Sequence, residues 1–181
     1  HCESSAASDV YKRQVDISEQ MLNVGREKIT KMKLTKSVRL ESGDAENLNF
    51  KDNYFDLVTI GFGVRNFQDL EKGLSESLRV LKVKGTLIVL ETSVPENRIM
   101  KLFYSIFTRT YIPIMAMIFS KDKSAYNYLL NSAELFPSGT KFSNILKSVG
   151  FADVLIKPKL FGSSTIYAVS YTHLTLPTIR S

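Results

Sequence analysis

The sequence predicts an α/β fold: a doubly wound, Rossmann-like, mostly parallel sheet with antiparallel strands at its C-terminal edge. Three observations predict it. Apolar runs of strand length alternate with stretches of helical periodicity through the first half of the chain. Acids or a glycine follow several of those runs, where an open α/β sheet binds its ligands. Two short apolar strands then stand close together near the end.

The elements follow in order. Val15-Asp16-Ile17-Ser18 reads as a strand end, an acid and a serine N-cap. Met21, Leu22, Gly25, Ile29 and Met32 come next at helical spacing. Val38-Arg39-Leu40 is a short strand with Gly43-Asp44 as its turn. Residues 53–62 (NYFDLVTIGF) are almost continuously apolar, as expected of a central strand covered on both faces. Asp69 caps a helix with Leu70, Leu74, Leu78 and Leu81 on one face, and Gly85 ends the turn after it. Residues 86–90 (TLIVL) are a buried strand that stops at Glu91. Ser138 to Val149 reads as a helix closed by Gly150. Ala152–Ile156 and Thr165–Val169 are the two late strands, expected to pair antiparallel at a sheet edge.

Composition narrows the function. With 181 residues the chain holds one domain with a substantial core, and 44% hydrophobic and 23% charged residues are ordinary for a globular protein. The charge of +6 is spread along the sequence. Its tightest cluster, Lys28, Lys31, Lys33 and Lys36, reads as a solvated helix end, so no nucleic-acid partner is expected. Weak attraction to an anionic membrane surface stays open. Cys2 is the only cysteine, and His1 and His173 stand near the ends. That inventory excludes a disulfide framework, a cysteine-rich zinc site and a histidine relay in the body, and no metal is expected. The N-terminus lacks a signal-like apolar stretch, so a cytoplasmic location is expected, with contact at the inner membrane face left open.

Residues 1–14 (HCESSAASDVYKRQ) and 170–181 (SYTHLTLPTIRS) do not fit what lies between them. Both resemble translated sequencing-adapter read-through. The expected native body is 15–169, which begins inside a domain.

The loop 61–69 (GFGVRNFQD) comes one residue short of a dinucleotide-binding glycine fingerprint. That fingerprint belongs on the first strand–helix turn, with an acid about 20 residues later. Here Asp16 and Asp44 precede the loop, Glu91 lies 30 residues on, and Arg65 and Asn66 stand where a phosphate loop wants small residues. The loop is better read as bare backbone against a ligand, with Arg65 and Asn66 facing a substrate. An acid after the second strand suits a ribose diol, whether the ligand is NAD or S-adenosylmethionine.

The segments VDISEQML, SGDAENLNF, FDLVTIGFGVRNFQD and RVLKVKGTLIVLETSVP together resemble the demethylmenaquinone/ubiquinone C-methyltransferases of the class I S-adenosylmethionine-dependent fold. FSKDKSAYNYLLNSAELFP and SVGF resemble that family's distal half. The resemblance implies that Asp16 holds the ribose, that Asp44 and Ala45 flank the adenine, and that Gly61 lines the methionine side. Arg65 and Asn66 would face the quinol. It further implies that the family's first strand and glycine-rich loop are missing, which would impair this stretch on its own. Lys82-Val83-Lys84-Gly85 stands in place of a Lys-Pro-Gly-Gly turn, which puts Lys84 where a positive φ is expected.

The implied reaction is C-methylation of a lipophilic, reduced polyprenyl quinone, demethylmenaquinol to menaquinol. The sulfonium cofactor supplies the electrophile. Arg65 is a poor base but can stabilise a phenolate or order a water, and a salt bridge at the surface is its competing reading. Residues 99–119 read mostly as an amphipathic pair of core helices over the sheet. Alternatively, Phe103, Phe107, Tyr111, Ile114 and Met117 form a greasy entrance for an isoprenoid tail. The uncharged part, Thr110 to Ser120, is too short to span a bilayer. The competing functions are a methyltransferase acting on another small molecule, and a non-catalytic Rossmann-like or NAD-linked nucleotide-binding module.

Overall fold

The structure, a computed structural model, describes residues 11–95, 97–111, 128 and 131–171. Their pairing falls into two units, His1–Asn49 and Phe50–Ser181.

The first unit is a strand–helix–strand motif. β1 (Lys12–Asp16) pairs parallel with β2 (Val38–Ser42), and α1 (Glu19–Lys31) connects them. β1 takes in Lys12, Arg13 and Gln14, ahead of the Val15 boundary drawn from composition. Ser18 caps α1 as expected, its hydroxyl accepting the Met21 N–H. Leu22 is the fully buried residue of α1. Gly25 lets α1 lie close on the sheet, since a Cβ there would meet Leu40 Cδ1 at 2.7 Å. Arg13 Nη1 and Glu41 Oε1 join the two strands at 2.6 Å.

The second unit carries a four-stranded sheet in the order β3 (Phe55–Gly61), β4 (Leu81–Thr92), β6 (Ser164–Ser170), β5 (Asp153–Lys159). β3 and β4 run parallel, which requires the crossover that α2 (Leu70–Val80) supplies. The late strands pair antiparallel as expected: β6 lies between β4 and β5, and β5 forms the edge. Asp69 caps α2 by accepting the Lys72 N–H at 3.0 Å. α4 (Thr140–Val149) ends at Gly150 with φ 116°. The C-terminal residue thus takes the left-handed conformation that glycine adopts at least cost.

The core of this unit sits on one face of the sheet. Leu87, Val89, Tyr167 and Val169 point to it at every second position, and Leu74, Phe142 and Leu146 cover them from α2 and α4. The Phe142 and Tyr167 rings meet edge-on at 4.8 Å. The buried Tyr167 hydroxyl is satisfied by the Gly139 N–H at 2.6 Å.

Three expectations are corrected. Among the described residues β3 is an edge strand of its sheet, not a central one covered on both faces: it pairs there with β4 alone, and Leu57 is 51% exposed. Leu81 belongs to β4 rather than to the helix, because Leu81 already pairs with Phe55. The described part of the stretch from Arg98, residues 98–111, does not pack as a core helix; the rest of the expected pair, 112–119, lies outside the described residues. α3 (Arg98–Ile106), continued by a wider turn over Phe107–Tyr111, buries none of its own residues. Ile99, Leu102, Phe103 and Ile106 are exposed, while Met100, Tyr104 and Ser105 are half-buried. The side chain of Tyr111, and Ile114 and Met117 with it, lie outside the described residues. Among those described, no helix is long and apolar enough to cross a membrane.

Candidate functional site

Each unit brings predicted residues to the carboxyl ends of a parallel strand pair. In the first unit, Asp16 ends β1 and Gly43-Asp44 follows β2 directly. The Gly43 N–H donates to the Asp16 carbonyl at 3.1 Å, which ties the two strand ends together. One oxygen of each acid has a local task. Asp16 Oδ1 accepts the Ser18 N–H at 2.8 Å, and Asp44 Oδ1 accepts the Glu46 N–H at 2.9 Å. Both are therefore turn-forming acids, as such residues commonly are. Each retains a second oxygen with no partner among the described residues. Asp44 is exposed, while Asp16 and Ala45 are half-buried. Two carboxylate oxygens at adjacent strand ends can accept hydroxyl protons, the chemistry that a ribose diol requires.

In the second unit Gly61 ends β3, paired with Leu90 of β4. Gly61 is exposed, and a Cβ built on it meets nothing within 4 Å. Packing therefore does not demand this glycine, and a serine would fit. Phe62 follows with φ 56°, a left-handed conformation uncommon for a bulky residue. Val64–Asn66 then form a single 3-10 turn with Val64 buried. The N–H groups of Phe62, Arg65, Asn66 and Phe67 are all engaged, by Leu90 O, Glu91 Oε2, Gly63 O and Val64 O. Those amides leave no bare-backbone cradle for a phosphate.

The turn aims Arg65 at Glu91. Arg65 Nη1 donates to Glu91 Oε1 at 2.5 Å, and the two side chains are 10% and 0% exposed. Glu91 also accepts the Thr92 N–H at 2.8 Å and the Thr92 hydroxyl at 3.2 Å. The Arg65 ion pair is real but buried, which corrects the reading of a pair at the surface. Arg65 Nε, also buried, has no partner among the described residues. Asn66 points elsewhere: its Oδ1 accepts from the exposed Tyr128 hydroxyl at 2.8 Å. A cavity of about 400 Å³ opens here, lined by Arg65, Phe67, Leu70, Tyr128, Ser132 and Phe136 among others. Its walls are mainly apolar with a few polar groups, the usual make-up of a small-molecule site. A second depression of about 450 Å³ lies at the far end of the sheet, beside Thr86, Lys147 and Asp153. It is remote from the ion pair.

The structure thus places Arg65 on the cavity, with Asn66 beside it in the same turn and bonded to the cavity-lining Tyr128, and brings Asp16 and Asp44 together on another strand pair. Sequence reasoning missed Glu91 as a partner and Tyr128 altogether. Glu91 was visible as a strand-end acid, but its pairing needs the β3–β4 register. Tyr128 lies 62 residues from Asn66, with no local signal. Among the described residues, no three His, Cys, Asp or Glu side chains cluster as a metal site would require.

An α/β unit with parallel strands feeding such a site and an antiparallel strand pair at the edge is the class I methyltransferase fold. A SAM dependent methyltransferase from Aquifex aeolicus superposes with a TM-score of 0.62 at 17% identity, over 90% of this chain and 69% of that one. Residues 3–170 match the ubiE/COQ5 methyltransferase family, and the chain belongs to that family. A demethylmenaquinone methyltransferase of Bacteroides fragilis is 43% identical over 155 residues, 86% of this chain and 63% of that protein. A ubiquinone/menaquinone biosynthesis C-methyltransferase UbiE of Geobacter sulfurreducens is 40% identical over 153 residues, 84% of this chain and 59% of that protein. The chain thus spans about three fifths of the length of these relatives.

Proposed function

We propose that this chain is the larger part of an enzyme that methylates a ring carbon of a reduced polyprenyl quinone, demethylmenaquinol being the first candidate, with S-adenosylmethionine as donor. Family membership and the relatives' names support the reaction class. The observation that carries the substrate side is the buried Arg65–Glu91 pair with an unpartnered Arg65 Nε on an apolar cavity.

The first unit offers groups suited to part of the donor: Asp16 would take the ribose hydroxyls on its spare oxygen, and Asp44 and Ala45 would flank the adenine. When bound, S-adenosylmethionine supplies an electrophilic methyl group. The chain's own residues do the rest. Arg65, fixed by Glu91, presents N–H groups to a phenolic oxygen and favours its anionic form, which makes the neighbouring ring carbon nucleophilic. Asn66, held by Tyr128, orients the ring. Phe67, Leu70 and Phe136 exclude water from it. Alignment of this kind is a large share of catalysis for a transfer between two bound partners.

Two measurements test the reading. Calorimetry of this chain with S-adenosylhomocysteine and with NADH separates a methyl-donor site from a nicotinamide site, and preferential binding of NADH overturns the proposal. Methyl transfer from labelled donor is then assayed on the B. fragilis relative carrying the substitution equivalent to Arg65→Met. The proposal expects a loss of at least 100-fold in kcat with demethylmenaquinol, in the range that removal of a single charge-stabilising donor causes. An unchanged kcat, or equal turnover of unrelated sterol and polyketide acceptors, sinks it.

A further inference from the structure

We infer that α3 is a lipid-docking surface for an anionic membrane interface. The inference goes beyond the reaction proposed above and does not depend on it.

The helix is amphipathic in the unusual direction. Ile99, Leu102, Phe103, Ile106 and Phe107 follow the spacing i, i+3, i+4, i+7, i+8, which makes one continuous stripe. Their exposures are 63, 61, 62, 54 and 51%. The inner side carries one apolar residue among polar ones: Met100, Tyr104 and Ser105 are half-buried, and Thr108 is buried with its hydroxyl on the Tyr104 carbonyl at 2.8 Å. A globular protein ordinarily points such a stripe inward, and a contiguous exposed apolar patch marks a docking site.

Charge selects the occupant. From Asn97 to Tyr111 the chain carries Arg98, Lys101 and Arg109 and no acid. Arg109 approaches Glu134 at 3.7 Å, which leaves Arg98 and Lys101 as the cations set beside the stripe. Asn97 holds the start of the helix by accepting the Ile99 and Met100 N–H groups, so the surface is preformed. Aromatic and aliphatic side chains flanked by cations are what a helix lying in an interface uses against negatively charged headgroups. A second copy of the same face would bring like charges together.

The chain has no tryptophan, so Phe103→Trp installs a single fluorescent reporter in the stripe. The whole 181-residue chain is titrated with vesicles of equal parts phosphatidylglycerol and phosphatidylcholine, and with phosphatidylcholine alone. Binding predicts a blue shift and quenching by brominated acyl chains on the anionic vesicles. Adding Leu102→Glu lowers partitioning about tenfold, the value of burying the exposed part of one leucine. Adding Arg98→Gln or Lys101→Gln lowers it about fivefold each at low salt, with little change on neutral vesicles. Circular dichroism verifies that each variant folds. Absence of quenching, or unchanged partitioning of Leu102→Glu, overturns the inference. So does a blue shift that grows with protein concentration without lipid, which would assign the stripe to a second copy.

Discussion

Replacing Arg65 by methionine removes a guanidinium from a carboxylate that solvent does not reach. Glu91 is 0% exposed and Arg65 10%. Breaking a buried ion pair by deleting one partner costs about 3–5 kcal/mol, because the other charge stays behind uncompensated. Three contacts to Glu91 survive the change: the Thr92 N–H, the Thr92 hydroxyl and the backbone N–H of residue 65. They move the expected cost to the lower end, about 3 kcal/mol. At a denaturant slope of about 2 kcal/mol/M this lowers the urea midpoint by about 1.5 M. Far-UV circular dichroism is the readout.

The reverse change, Glu91→Leu, strands Arg65 and costs a similar amount. The double variant Arg65→Met/Glu91→Leu removes both charges and regains about 2–3 kcal/mol relative to the sum of the singles. Arg65→Lys adds a control. It keeps the charge and recovers part of the stability, yet loses the planar fork that holds an oxyanion while bound to Glu91. Single variants within 0.5 kcal/mol of the parent, or an additive double variant, would refute the reasoning.

Three further outcomes are expected. Lys84 sits at φ 67°, so Lys84→Gly relieves a left-handed side chain and gains about 0.5–1 kcal/mol after the entropy glycine loses on folding, read from thermal unfolding. Gly73→Ala places a Cβ 2.4 Å from the Phe67 ring, so it costs about 1–2 kcal/mol by overpacking and shifts a cavity wall. A crystal structure of that variant should show Phe67 displaced, and an unmoved ring would count against it. Burial, and then the charge of Glu134, hold the Tyr104 phenol above its usual range. A raised folded-state value gives stability that is present below about pH 10 and lost as pH rises further, so Tyr104→Phe flattens the fall of Tm above pH 10. Parallel Tm curves would contradict the assignment.

What was legible in the sequence was local. Ser18 and Asp69 cap because a short oxygen-bearing side chain before an apolar periodic run has one good use. Gly150 and Lys84 take positive φ because the chain must turn there. Direction and partnership were not legible. Periodicity gave α3 a stripe but not the side on which it would lie, since that depends on what else covers the sheet. The apolar run 53–62 announced a strand, yet only the order of strands in the sheet makes β3 an edge. Arg65 and Glu91 stand 26 positions apart, and their meeting follows from the register that sets Gly61 against Leu90. Of the predicted site residues, Asp16, Asp44 and Ala45 belong to one unit, and Gly61, Arg65 and Asn66 to the other.

The end of β3 is where the second unit spends stability. Phe62 holds a conformation that costs an L-residue about 1–2 kcal/mol. Three residues later an ion pair goes into the interior, where it is seldom a net gain. Neither feature improves packing, for Phe62 is 46% exposed and Arg65 Nε lacks a partner. What both do is fix geometry. The Phe62 N–H on Leu90 O at 2.8 Å and the Arg65 guanidinium on Glu91 clamp the two ends of one short turn onto β4. A turn fixed at both ends needs little rearrangement when charge develops beside it, which is the condition under which a hydrogen-bond donor accelerates a reaction. Strain and a buried charge in the turn that carries Arg65 to an apolar cavity are therefore better explained as preorganisation for a ligand than as devices of folding.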